Sequence, residues 1–226
     1  MTAPTARFGV GPLSRAAALI YTVLVVECLV LLTTVPLLVP VVLLDRDASN
    51  IPLAALCALP VGPALSAALY ALHHRQRDLT DLHPTTLFWR GYRMNAAGAL
   101  RVWVPLVVLL AVVAINLAHF GAANVPGWWA PMLVVVAVAG ALWGANALVI
   151  TSLFAFRAVD VARLALYFLG RTPVATLGNA GVLVAAVAVT ALASEAVLAL
   201  VGAVLVLVLL RTSRPMIDTV RREFTA

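Results

Sequence analysis

An all-α bundle of membrane-spanning helices is the fold class that three observations predict. Hydrophobic residues make up 64% of the chain and charged residues 11%, where a soluble domain carries about 25% charged residues. Mean hydropathy is +1.07, and the apolar residues gather into separate runs, several of them reaching the ~20 residues that cross ~30 Å of hydrocarbon. The third observation is charge placement. All of the positive charge is carried by fifteen arginines, with no lysine, and they punctuate the apolar runs. A single membrane domain over residues 1–226 follows, with the lipid bilayer as its first partner. The pI of 10.3 does not point to nucleic acid, because that reading needs cationic residues clustered on a water-exposed face.

The spans follow from the runs. Residues 16–44 carry one charge, Glu27, and lie between Arg15 and the polar stretch "DRDASN", with Pro36 and Pro40 near the far end. The second span, 51–72, contains Pro60 and Pro63 and ends in the basic sequence "HHRQR". Prolines inside a span free carbonyls and bend the helix, so this one is expected to be kinked. A third span covers 101–118. A fourth, 131–156, is bounded by Trp128 and Trp129, residues that favour the membrane interface, and by Arg157 on the other side.

The last apolar region, 172–210, has Glu195 as its only charge. One straight helix of that length would measure about 58 Å, nearly twice the hydrocarbon thickness. A hairpin of two spans, 173–193 and 196–210, turning at "LASEA", fits the length and takes Glu195 to the headgroup region. Charge asymmetry supports this count of six. With both termini cytoplasmic, Arg46 alone lies outside and the other fourteen arginines lie inside, a strong positive-inside bias; five spans would export the four C-terminal arginines. The first run is too long for the ~7–15-residue core of a signal peptide, so the first helix is expected to remain. Cys28 and Cys57 both fall inside spans and are expected to be free.

Glu27 is the costliest residue in the sequence, because an ionised carboxylate at that depth must face the bundle interior, pair with another group or become protonated. Asn116 and Asn146 are the other intramembrane polar candidates. Polar side chains also bind spanning helices together, so a packing role competes with a proton or cation pathway. The stretch after the second span holds His73, His74, Asp78, Asp81 and His83, yet none of the closer zinc spacings, such as H-E-x-x-H, occurs. Nor is there a phosphate-cradling G-x-x-x-x-G-K-[ST] or a nucleophile elbow. No cofactor, metal or enzymatic activity is expected.

From Pro84 onward, apolar residues recur near helical spacing, predicting a short amphipathic helix at the cytoplasmic surface between the second and third spans. Phe88, Trp89 and Tyr92 are its candidate partner contacts, and Arg75, Arg77, Arg90 and Arg93 its candidate contacts to anionic lipid. Gly140 and Gly144, one turn apart in "GALWG", predict close helix packing.

The segments "GPLSR" (11–15), "LPVGPALSAALYALHHR" (59–75) and "FWRGYRMNAAGAL" (88–100) together resemble the YesL-like family of bacterial integral membrane proteins. The resemblance extends over most of the chain, is most distinctive over 11–100, and contains no catalytic signature. It implies a multi-pass protein of the bacterial cytoplasmic membrane, associated with carbohydrate importers of the ATP-binding-cassette type. An accessory or regulatory role beside such an importer is the expectation it raises. The alternative is an autonomous transporter of ions or small solutes with Glu27 in its pathway.

Overall fold

The computed structural model describes residues 12–43, 47–75, 82–123 and 125–224. Those residues form ten α-helices and two short 3-10 turns, with no strand among them. Four helices are long and apolar enough to cross a membrane: α1 (Pro12–Leu43), α4 (Pro84–Ala118), α5 (Trp129–Leu153) and α7 (Pro173–Leu192). A bent pair, α2 (Ile51–Cys57) and α3 (Val61–His73), makes up to a fifth crossing. The remaining helices are α6 (Ala158–Arg171), α8 (Glu195–Leu200), α9 (Gly202–Thr212) and α10 (Arg214–Phe224). The chain is a multi-pass helical membrane protein.

The bend between α2 and α3 is 42° and falls at Ala58–Pro60, where the sequence predicts a kink. Pro60 sits at the N-cap of α3 and has no N–H to continue the α2 ladder. After the kink, α3 is the central helix, packing against α1, α4, α5 and α9. Its small residues make this possible: Gly62, Ala64, Ser66, Ala67, Ala68 and Ala71 are all buried, leaving the backbone close to its neighbours. A Cβ on Gly62 would collide with Trp103 of α4, and one on Gly91 would come within 2.7 Å of Tyr70. Gly140 and Gly144 of α5 likewise face Leu109 and Leu106 of α4, as the packing motif predicts.

The segment from Pro84 differs from expectation. It is not a separate short helix, since α4 runs without a break through Arg101 to Ala118. At 1.5 Å per residue such a helix is about 52 Å long, so its first turns project beyond any single crossing. Proline at the first helical position starts it, and the sequence between Asn95 and Arg101 offers no proline to stop it.

The apolar run after Arg171 is interrupted where the hairpin reading places its turn. Helix α7 ends at Leu192, and Ser194 caps α8 by accepting a hydrogen bond from Val197 N–H at 3.2 Å. The second arm returns along α7 but is broken at Val201 into α8 and α9, a break with no proline in it. Two further helices have no counterpart in the sequence reading. Helix α6 buries Val161, Ala165 and Phe168 at i, i+4 and i+7, and α10 buries Met216, Ile217 and Val220. They meet through Phe168 and Phe224, whose ring centroids lie 6.3 Å apart.

One core joins α1, α3, α4, α5, α6, α7, α9 and α10. Its surroundings are inverted relative to a soluble protein, with Leu24, Val135, Val184 and Val187 exposed on the long helices. Such apolar faces suit lipid as the solvent.

Candidate functional site

Glu27 projects from the middle of α1 and is 7% exposed. Its Oε2 accepts a hydrogen bond from the backbone N–H of Ala203 at 2.6 Å. Ala203 is the second residue of α9, and the first N–H groups of a helix have no carbonyl of their own to bond. The break at Val201 creates those donors deep in an apolar region, and Glu27 supplies the acceptor from another helix, 176 residues away in sequence. Partial positive charge at a helix N-terminus also favours a carboxylate there. Glycine at 202 leaves room for the approach, because a Cβ would sit 3.3 Å from Oε1. That second oxygen is buried and has no hydrogen-bond partner among the described residues.

Asn146 belongs to a different centre. It is 1% exposed, donates to the Ala165 carbonyl at 3.3 Å and accepts from Asn179 Nδ2 at 3.0 Å. Asn179 Oδ1 in turn accepts from the Thr212 hydroxyl at 2.7 Å and the Ser213 hydroxyl at 3.2 Å. This network ties α5, α6 and α7 to the junction of α9 and α10. A fully connected polar network in an apolar core fixes helix register. Asn116 joins neither centre, being exposed on α4 with its amide donating to Val112 of its own helix at 2.7 Å. The three intramembrane candidates are therefore not brought together.

The candidate partner and lipid contacts also separate. Phe88 is fully buried, and Trp89 and Tyr92 are half-buried against the core. Their rings pack on one another, with centroids 5.8 Å apart for Phe88–Trp89 and for Trp89–Tyr92. This revises the expectation of an outward aromatic face: at Phe88 the helical spacing marks a core contact. Arg90 and Arg93 are exposed on α4. Arg75 folds back to donate to the Leu72 carbonyl at 3.1 Å, capping the end of α3. Arg77 and Asp78 lie outside the described residues.

Gly202, Ala203, Asn179, Thr212 and Ser213 were missed by sequence reasoning. A glycine within an apolar run was the only local signal of the α8/α9 break, and glycine is common in membrane helices. Among the described residues, no group of three or more His, Cys, Asp or Glu side chains is placed to hold a metal ion.

Comparison with protein-family models, with curated proteins and with solved structures finds no match for this chain.

Proposed function

We propose that the protein is a six-span component of the bacterial cytoplasmic membrane that assists or regulates a carbohydrate importer and does not itself move solute. In this reading α8 and α9 together form the sixth span, with Val201 as a break inside it, and both termini are cytoplasmic. The first turns of α4, with Arg90 and Arg93 exposed, project past the inner membrane surface, where they meet anionic headgroups and the importer. The observation that carries the non-transporter half is the separation of the intramembrane polar groups. Glu27 is engaged with Ala203, Asn146 with Asn179, and Asn116 with its own helix, so these three groups form no continuous polar file. The importer itself rests on the sequence resemblance. Purification from native membranes tests it, the expected result being co-isolation of importer subunits in amounts matching the bait.

One observation favours the transporter alternative: the free oxygen of Glu27 beside a broken helix, since transporters build ion sites at such interruptions. Reconstitution into liposomes decides between the two. Proton or sugar flux that Glu27→Gln abolishes, with helical content unchanged, would overturn the accessory reading. The topology has its own test, cysteine accessibility in a background without Cys28 and Cys57. Asp47→Cys is expected to label from outside and Glu223→Cys from inside only; outside labelling of the latter removes the sixth span.

A further inference from the structure

Helices α3, α9 and α10 end or begin around a cavity of about 390 Å³. Its polar lining is His73, Arg75, Arg211, Arg214, Asp218 and Arg221. These residues come from three separate parts of the chain: the C-terminus of α3 with the residues just after it, the last turn of α9, and one face of α10. The α10 contribution follows from register. Arg214, Asp218 and Arg221 stand at i, i+4 and i+7, which places them on one stripe of a helix. The neighbouring stripe, Met216, Ile217 and Val220, is buried in the core, and that packing fixes the direction in which the basic stripe faces.

Positive-inside topology accounts for arginines at this end of the bundle, but not for their convergence. Arg90 and Arg93 satisfy the same rule from α4 without lining the cavity, although Arg211, Arg214 and Arg221 are exposed as they are. Among the described residues that line the cavity, four are arginines and one, Asp218, is a carboxylate. Each guanidinium carries five N–H donors, and a multiply charged anion in the cavity accepts hydrogen bonds from several of them at once. Phosphate suits this donor set better than a carboxylate, because its greater charge and larger number of acceptor oxygens let it meet more than one guanidinium fork at once. Leu72, Leu207, Leu210 and Ile217 complete the lining, giving the cavity an apolar part next to its cationic one.

We infer that this cavity is a binding site for a phosphate group, held by Arg75, Arg211, Arg214 and Arg221. The site does not depend on the importer reading. Two sources carry the same chemistry, an anionic phospholipid headgroup and a soluble phosphate, and the experiment separates them.

The full chain is purified and tested in two arms. In one, it is placed in nanodiscs of phosphatidylcholine containing phosphatidylglycerol, and retained phosphatidylglycerol is measured by native mass spectrometry. In the other, inorganic phosphate is titrated onto protein in pure phosphatidylcholine, and the thermal unfolding midpoint is followed. Binding in the first arm alone assigns the headgroup, and binding in the second assigns a soluble phosphate. In whichever arm responds, the double variant Arg211→Gln/Arg214→Gln is expected to weaken binding about tenfold or more, the scale of losing charge-assisted hydrogen bonds. The control Arg163→Gln/Arg171→Gln removes the same charge from exposed positions on α6 outside the cavity and is expected to change binding less than about twofold, as screened surface charge does. Should the glutamine pair fail to fold, Arg211→Lys/Arg214→Lys keeps the charge and loses the fork, and is expected to weaken binding several-fold. Equal losses from the cavity and control variants, or no response to either probe, would overturn the site.

Discussion

Two broken helices, α2/α3 and α8/α9, meet opposite halves of the same demand. In an apolar medium every backbone donor and acceptor needs a partner, and a break leaves some without one. At the first break, the Ala58 carbonyl is reached by the indole N–H of Trp103 at 2.9 Å, and also by Val61 N–H at 3.2 Å. At the second, the Ala203 N–H is reached by the Glu27 carboxylate at 2.6 Å. The side chains match the need: indole is donor-only, and an ionised carboxylate is acceptor-only. The comparison also separates cause from remedy. Pro60 makes the first break by its covalent structure, whereas no proline lies in α8 or α9. There the carboxylate that receives the exposed N–H is part of what holds the break in place.

This asymmetry sets the order of expected effects, all read as stability of the purified protein against denaturant in mixed micelles. Glu27→Leu is expected to cost most, about 3 kcal/mol, because it strands a buried donor at α9. Glu27→Gln keeps an acceptor and should lose no more than about 1 kcal/mol; a cost equal to that of Leu would mean that charge, and not capping, is what Ala203 requires. Next comes Gly62→Val, expected to cost about 2 kcal/mol by driving a side chain into Trp103. Smallest is Trp103→Phe, about 1 kcal/mol or less, since the Ala58 carbonyl keeps the Val61 N–H when the indole is gone. If Trp103→Phe proved as costly as Glu27→Leu, the two breaks would be equivalent and the proline would not be what fixes the first.

Most of the crossing pattern was legible because run length, proline position and bounding tryptophans are local properties. The kink at Pro60, the turn capped by Ser194 and the close packing at Gly140 and Gly144 all belong to this class. The separate helix expected before Arg101 shows where local reading misleads. One arginine between apolar and amphipathic stretches looks like an interface, but nothing there disfavours helical backbone, so α4 continues. Helices α6 and α10 were overlooked because they lie among charged residues, where the search for apolar runs does not look; their i, i+4, i+7 stripes were there to be found. Of the site, Glu27 was recognisable by its cost. Its partner was not, because a backbone N–H has no sequence signature.

From the sequence alone came the membrane class, the positions of the apolar runs, the kink and the arginine-rich ends, all consequences of composition and of spacing within single segments. Tertiary structure decided which polar groups meet. It brought Glu27 to Ala203, joined Asn146 through Asn179 to Thr212, turned Phe88 inward, and gathered Arg75, Arg211, Arg214 and Arg221 around one cavity. The reason is the range of the constraint. A residue's burial cost follows from its own chemistry, but the group that offsets it comes from whichever helix packs alongside, and that neighbour is set by the packing of the whole bundle.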